Sequence, residues 1–337
     1  MLVVMNAQAT AAQVEGVAQR IRELGFVPQV IPGQTCTAIG VTGNKGSIDR
    51  GRLSRLPGVE QVVRVTGPYK RVARAARPAR SSFPVASTHI GGGFTLIAGP
   101  CAVEGERTLL ETARFLTERG VRLLRGGAYK PRTSPYSFQG LGPEGLAHLA
   151  KAREETGIGI VTEALDVENV ARVEEVADII QVGSRSMQNY PLLRRVAQTR
   201  KPVLLKRGMA ATVEEWLMAA EYLMSGGNEQ VILCERGVRS FGDYTRYVLD
   251  LAVLPVLRRL THLPVLVDPS HATGEARCVP PMALAALAAG ADGLLVELHP
   301  DPSQALSDGV QALDFDEFVE LQAKMKAVAA ALEVEIL

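Results

Sequence analysis

The chain has no run of apolar residues long enough to cross a bilayer, which needs roughly 18 in a row, and this argues against a membrane-spanning helix. Its first residues, MLVVMNAQAT, lack the positive start and the long apolar stretch of a secretory signal, so a cytoplasmic location is expected. An excess of either charge is also missing. Lys and Arg number 37 against 36 Asp and Glu, leaving +1. That balance gives no sign of a nucleic-acid or membrane partner, although a local basic cluster could still hold a small anion. Cysteine is scarce. The four residues Cys36, Cys101, Cys234 and Cys278 form no CxxC pair. A chain this long needs no disulfide staples, so they read as reduced thiols, at most one of them chemically used.

Apolar residues are plentiful. They make up 47% of 337 residues, enough to fill a large core and to build two domains. Residues 1–66 read strand, helix, strand, strand, short helix, strand. MLVVM is the first strand. Ala11, Val14, Val17, Ala18, Ile21 and Leu24 share one helical face, and Gly25 stops that helix. FVPQVI and CTAIGVTG follow as strands with a turn at Pro32-Gly33. Leu53 and Leu56 mark a short helix, and VEQVVRV is the last strand. The order βαββαβ is that of the split-βαβ, ferredoxin-like sandwich. Such a domain serves either docking and oligomerisation or ligand sensing. Residues 67–83, GPYKRVARAARPARSSF, are basic and poor in large apolar residues, and read as a solvated linker.

From about Phe94 apolar strands alternate with amphipathic helices. The strands are FTLIAGPC, VRLLRGGA, GIVTEAL, DIIQVG, PVLLKRG, QVILCERG, LPVLVDPSH and GLLVELHP, with helical segments such as 104–119, 212–225 and 314–331. This predicts an α/β protein whose residues 84–337 form a (β/α)8 barrel, with a doubly wound open sheet as the alternative. Ionisable and polar residues cluster at the C-terminal strand ends, the face on which barrel enzymes build their sites: Cys101, Arg125, Glu163, Gln181, Lys206, Glu235 with Arg236, Asp268 with His271, and Glu297 with His299. Burying so many without purpose would be costly.

Two clusters stand out. In a closed barrel the eighth strand lies beside the seventh and the first. Cys101, His271, Glu297 and Asp308 are therefore neighbours in space. A thiolate, an imidazole and two carboxylates suit one divalent Mn, Fe, Co or Zn ion better than Mg or Ca. His299 competes as a ligand, and a buried Cys is otherwise a small apolar core residue. The second cluster is basic: Arg125, Lys130, Arg132, Arg185, Lys206 and Arg236. It fits a substrate carrying phosphate and carboxylate. Strand alternation puts Lys206 and Arg207 on opposite sides without saying which points inward.

The motifs IAGPCAVEG, LRGGAYKPRTSPYSFQGLG, VTEAL, QVGSRSMQN, PVLLKRG, ILCERG, VDPSHATG, VELHPDP and ALSDGVQAL together resemble 3-deoxy-D-arabino-heptulosonate 7-phosphate (DAHP) synthase of the type Iβ branch, from about residue 90 to the C-terminus. The N-terminal domain resembles that branch by topology and position only. The resemblance implies metal-dependent condensation of phosphoenolpyruvate with erythrose 4-phosphate, the first step of the shikimate pathway to aromatic amino acids. It puts the metal ligands on Cys101, His271, Glu297 and Asp308. Phosphoenolpyruvate contacts fall on Arg125, Lys130, Ser184, Arg185, Lys206 and Arg236. Pro131, Arg132, Thr133 and Ser134 would hold the sugar phosphate, and Asp268 the sugar hydroxyls. Lys130, Glu163 and Asp268 are the catalytic candidates, Lys130 for protonating the new alkoxide and Glu163 for assisting water. One departure is visible: Ser184, Arg185 and Ser186 stand where the family often has Ala-Arg-Asn. The alternative is 3-deoxy-D-manno-octulosonate 8-phosphate synthase, whose sugar loop typically reads Lys-Ala-Asn-Arg-Ser. Pro131-Arg132-Thr133 favours the four-carbon sugar. The family further implies a homotetramer and tyrosine or phenylalanine as an effector on residues 1–66. Two other classes are a class II-like aldolase, which would release no phosphate, and a small-molecule sensor on a catalytically dead barrel.

Overall fold

The computed structural model describes residues 1–33, 36–43, 49–63, 68–132 and 134–337, which form two compact units, Met1–Pro68 and Tyr69–Leu337. In the first unit the order is β1 (Leu2–Met5), helix Ala11–Glu23, β2 (Val27–Pro32), β3 (Thr37–Thr42), helix Arg50–Ser54 and β4 (Val59–Val63). The strands form an antiparallel sheet in the order β2-β3-β1-β4. Local chemistry sets the helix ends. Thr10 and Gln13 form a reciprocal capping box, and Gly25 ends the helix at φ 83°, a conformation costly for other residues. Strand alternation turns Val3 and Met5 inward onto Val17, Ile21, Ile39, Leu53 and Val62. Pro32 closes β2. The end of the expected last strand, Arg64 and Val65, lies outside the described residues.

The second unit begins with a segment that sequence composition presents as a solvated linker, and the structure corrects this. Both carboxylate oxygens of Glu221 accept backbone N–H groups, from Arg71 and Val72, each at 3.0 Å. Val72 is fully buried, and its carbonyl accepts the Thr261 hydroxyl. Ser81 meets His262 Nδ1 at 2.7 Å, and Arg80 pairs with Asp292. Composition misleads here because the anchors are backbone groups and a few small side chains, beneath exposed basic ones.

A hairpin follows, β5 (Phe83–Val85) and β6 (Thr88–Ile90). Then come β7 (Thr95–Gly99), β8 (Leu123–Arg125), β9 (Gly159–Glu163), β10 (Ile179–Val182), β11 (Val203–Lys206), β12 (Val231–Glu235), β13 (Val265–Val267) and β14 (Gly293–Glu297). All pair in parallel and close into a barrel through β14 and β7, with Glu297 opposite Gly99. Every strand is buried along its length, as expected where side chains fill the barrel within and helices cover it outside. Ile97, Leu123, Val161, Ile179, Leu204, Ile232, Leu266 and Leu295, one from each strand, fill the interior together with Phe83, Val85 and Ile90 of the hairpin. The hairpin therefore plugs one end of the barrel. Ala86 at its tip abuts Gly159, where β9 begins, so the plugged end is the N-terminal one and the strand C-termini are left for chemistry. Among the described residues, no helix is long and apolar enough to cross a membrane.

Candidate active site

The C-terminal strand ends deliver to one point four side chains of the kinds that bind metals. Cys101 lies just beyond β7, Glu297 ends β14, and Asp308 sits in the loop after β14 at φ 57°, a left-handed conformation that Asp tolerates. His271 is carried by the short helix Pro269–Thr273, which Asp268 caps by accepting the His271 N–H at 2.9 Å. One donor atom from each of Cys101, His271, Glu297 and Asp308 lies within 4.8 Å of all the others. That closeness, with one sulfur, one imidazole nitrogen and two carboxylate oxygens, fits a single cation of intermediate softness. His299 does not join the group. Its Nδ1 accepts the Asp301 N–H at 3.1 Å, and its Nε2 faces Glu104 at 3.5 Å.

Further side chains orient these four. Arg125 donates to Glu297 at 2.7 Å and to the Pro100 carbonyl at 3.0 Å. Gln311 donates to the other Glu297 oxygen at 2.5 Å. His271 Nδ1 lies 2.7 Å from Asp268, which leaves Nε2 turned toward Glu297 at 3.1 Å. Lys206 also donates to Asp268. Asp268 is fully buried with both oxygens engaged, and it does not line the cavity. Through Oδ1 and Oδ2 it holds both the backbone and the ring of His271. Lys130 Nζ lies 3.0 Å from Cys101 Sγ, and Cys101 donates to Asp308 at 3.0 Å.

Burial sets the titration of two of the four side chains and is outweighed at the other two. It raises the Cys101 thiol to about 11, with the Glu297 charge adding to the effect. Burial also lowers His271, favouring the neutral ring that a metal ligand needs. Burial opposes ionisation of Asp308, but the Cys101 hydrogen bond and the charges of His271, Arg246 and Lys130 outweigh it and hold the carboxyl at about 2. Glu297 is likewise held low by His271 and Arg125 despite burial.

Beside the cluster opens a polar cavity of about 270 Å³. The expected cations Arg125, Lys130, Arg132, Arg185, Lys206 and Arg236 all line it, as do Pro131, Ser134 and Ser184. Thr133 lies outside the described residues. The open question on β11 is resolved: Lys206 faces the cavity, whereas Arg207 points away and binds Glu235 at 2.8 Å and Asp250 at 3.0 Å. Glu235 is thus a partner of Arg207 rather than a cavity residue. Glu163 lines the cavity and accepts from Gln181 at 2.8 Å, while its Oε1 is buried with no hydrogen-bond partner among the described residues. Gly183 makes room for it, since a Cβ there would fall 2.1 Å from that oxygen.

Sequence reading missed Arg246, which lines the cavity, stands 3.5 Å from Asp308 and donates to Gln311 at 3.2 Å. It also missed Gln311 itself. Both lie in stretches without helical or strand periodicity. Their basic or amide character was the one available signal.

The chain is similar to known proteins along its whole length. The sequence pattern of the DAHP synthetase I family matches residues 80–334, and that of the DAHP synthase ferredoxin-like domain matches residues 1–67. A phospho-2-dehydro-3-deoxyheptonate aldolase of Thermotoga maritima is 48% identical over 337 residues, all of both chains. A 2-dehydro-3-deoxyphosphooctonate aldolase of Acidithiobacillus ferrooxidans is 38% identical over 65% of this chain and 83% of its own. The crystal structure of the Thermotoga maritima phospho-2-dehydro-3-deoxyheptonate aldolase (DAHP synthase) superposes with a TM-score of 0.91 at 47% identity, covering 100% of this chain and 99% of that one. A truncated form of that organism's synthase covers 79% of this chain and 98% of its own, with a TM-score of 0.74 at 48% identity.

Proposed function

The chain belongs to the DAHP synthetase I family, and from that premise we propose how its own residues carry the synthase reaction. That reaction is the metal-dependent condensation of phosphoenolpyruvate with D-erythrose 4-phosphate and water to DAHP and phosphate. The octulosonate relative is more distant and covers less of the chain.

Cys101, His271, Glu297 and Asp308 would hold the metal, and the sulfur and imidazole favour Mn, Fe, Co or Zn. Such an ion, when bound, supplies Lewis-acid polarisation of a carbonyl oxygen. The rest falls to side chains. Arg185, Lys206 and Arg236, with Ser184, cradle phosphoenolpyruvate, and Pro131, Arg132, Thr133 and Ser134 hold the sugar phosphate. Their charges offset the repulsion between two anions that must meet carbon to carbon. C3 of phosphoenolpyruvate bonds to the aldehyde carbon, water adds at C2, and the C2–O bond to phosphate breaks. Lys130 delivers a proton to the former aldehyde oxygen. The reading rests on its place at the cavity wall, 3.0 Å from Cys101 Sγ. Glu163 orients the water at C2, a role favoured by its place in the cavity wall and by a buried oxygen with no hydrogen-bond partner among the described residues. Arg125 and Asp268 orient Glu297 and His271.

The single observation that carries this reading is the meeting of four ligand atoms within 4.8 Å at the edge of a cavity lined by cations. The test is phosphate release from phosphoenolpyruvate with four- and five-carbon sugar phosphates, with and without chelator. Release with erythrose 4-phosphate, abolished by chelator and weaker with the five-carbon sugar, is expected. Condensation without phosphate release would place the chain among aldolases of another kind. A cytoplasmic homotetramer, with tyrosine or phenylalanine acting on residues 1–66, completes the proposal. The match of residues 1–67 to the ferredoxin-like domain supports its regulatory part.

A further inference from the structure

The loop after β12 carries an aromatic ring between two arginines of the cavity. The Arg236 guanidinium lies over the Tyr247 ring, 4.3 Å from its centroid, and Arg246 lies 5.8 Å from the same centroid. Arg236 lines the cavity yet is only 5% exposed, and its Nη1 is buried with no hydrogen-bond partner among the described residues. A buried guanidinium in that condition needs something to fix its plane, and a π face does so without consuming an N–H.

The ring is itself held from several sides. Its hydroxyl donates to Met209 Sδ at 3.3 Å, and Met209 lines the cavity. Its backbone N–H bonds to Ala272 at 2.8 Å and that of Arg246 to Thr273 at 3.0 Å, both on the helix that carries His271. Val238 and Val248 close the base of the loop by exchanging backbone hydrogen bonds. Gly237 leaves space, since a Cβ there would lie 2.7 Å from the Tyr247 Cβ. Burial alone would raise the phenol, yet the charges of Arg236 and Arg246, and a hydrogen bond from Arg236, lower it.

We propose that Tyr247 is a positioning residue: its ring is the platform that fixes Arg236 against phosphoenolpyruvate and couples that arginine to the helix bearing His271. This rests on the reading of Arg236 as a phosphoenolpyruvate contact. Tyr247 does not touch substrate. It acts by restricting the guanidinium, so its loss raises KM for phosphoenolpyruvate more than it lowers kcat.

The test is steady-state kinetics, with phosphoenolpyruvate varied, on the full-length metal-loaded enzyme and on Tyr247→Phe, Tyr247→Leu, Tyr247→Gln, Arg236→Ala and the double variant Arg236→Ala/Tyr247→Leu. Tyr247→Leu and Tyr247→Gln should each raise this KM about thirtyfold, the scale of a desolvated cation–π contact. Tyr247→Phe, which keeps the π face, should stay near wild type. In the Arg236→Ala background Tyr247→Leu should add nothing further. Two results overturn the proposal: Tyr247→Phe as impaired as Tyr247→Leu, which would make the hydroxyl the operative group, or a full additive effect in the double variant. An unchanged KM in Arg236→Ala alone would overturn it at a different point, by removing the role of Arg236 on which it stands. Tyr247→Gln, differing in shape and polarity from Leu, keeps the comparison decisive if Tyr247→Leu fails to fold.

Discussion

Cys101 enters the cluster as a thiol, since burial and Glu297 raise it to about 11. Its partners need no such change: Asp308 is held at about 2, Glu297 is held low, and burial favours neutral His271. A bound metal ion must therefore displace one proton, from sulfur. The sign follows directly. The metal-free protein holds a proton that the metal-bound one lacks, so raising pH favours the metal. Apparent affinity should rise about tenfold per pH unit between roughly pH 7 and 9. Calorimetry in two buffers of different ionisation enthalpy should count one proton released, and a count of zero would remove the thiol from the site. At this scale the strand-end residues were legible, because an ionisable group after an apolar run in a barrel has few other places to be. The facing of Lys206 and Arg207 was not, since alternation fixes their opposition but not their direction. Gln311 and Arg246 were illegible for another reason. They act through contacts with Glu297 and Asp308 that only the folded loops create.

Among the elements, the barrel strands announced themselves by apolar runs buried on both faces. The β5–β6 hairpin did not, because each strand has three residues, too short for any period to emerge. Its importance lies in packing, since Phe83, Val85 and Ile90 complete the interior cluster at the closed end. Phe83→Ala should cost about 3 kcal/mol, the usual penalty for truncating a buried aromatic. Denaturant melts should show this loss while KM values stay near wild type, because the hairpin lies at the opposite end from the cavity. An unchanged midpoint would mean that the plug contributes little. The segment after Pro68 teaches a related lesson. Its basic side chains suggested solvent, but its backbone is anchored by Glu221, Leu260 and His262, and composition does not report where a backbone bonds.

For the molecule as a whole, division into two units makes a simple expectation. Removing residues 1–68 should leave the barrel folded and active while abolishing inhibition by tyrosine or phenylalanine. A truncated form of the Thermotoga maritima synthase covers 79% of this chain. Persistent inhibition in the truncated chain would move the effector site to the barrel. Closure matters more. Cys101 follows the first barrel strand and Glu297 ends the last, so the cluster exists only because β14 pairs with β7. The most direct measurement is a cobalt(II) titration followed by optical absorption, on the wild type and on Cys101→Ser. The wild type should develop a thiolate-to-metal charge-transfer band that saturates at one equivalent, and Cys101→Ser should bind cobalt more weakly without the band. A band that persists in Cys101→Ser, or that never forms in the wild type, would contradict a cation held by this sulfur beside the substrate cavity.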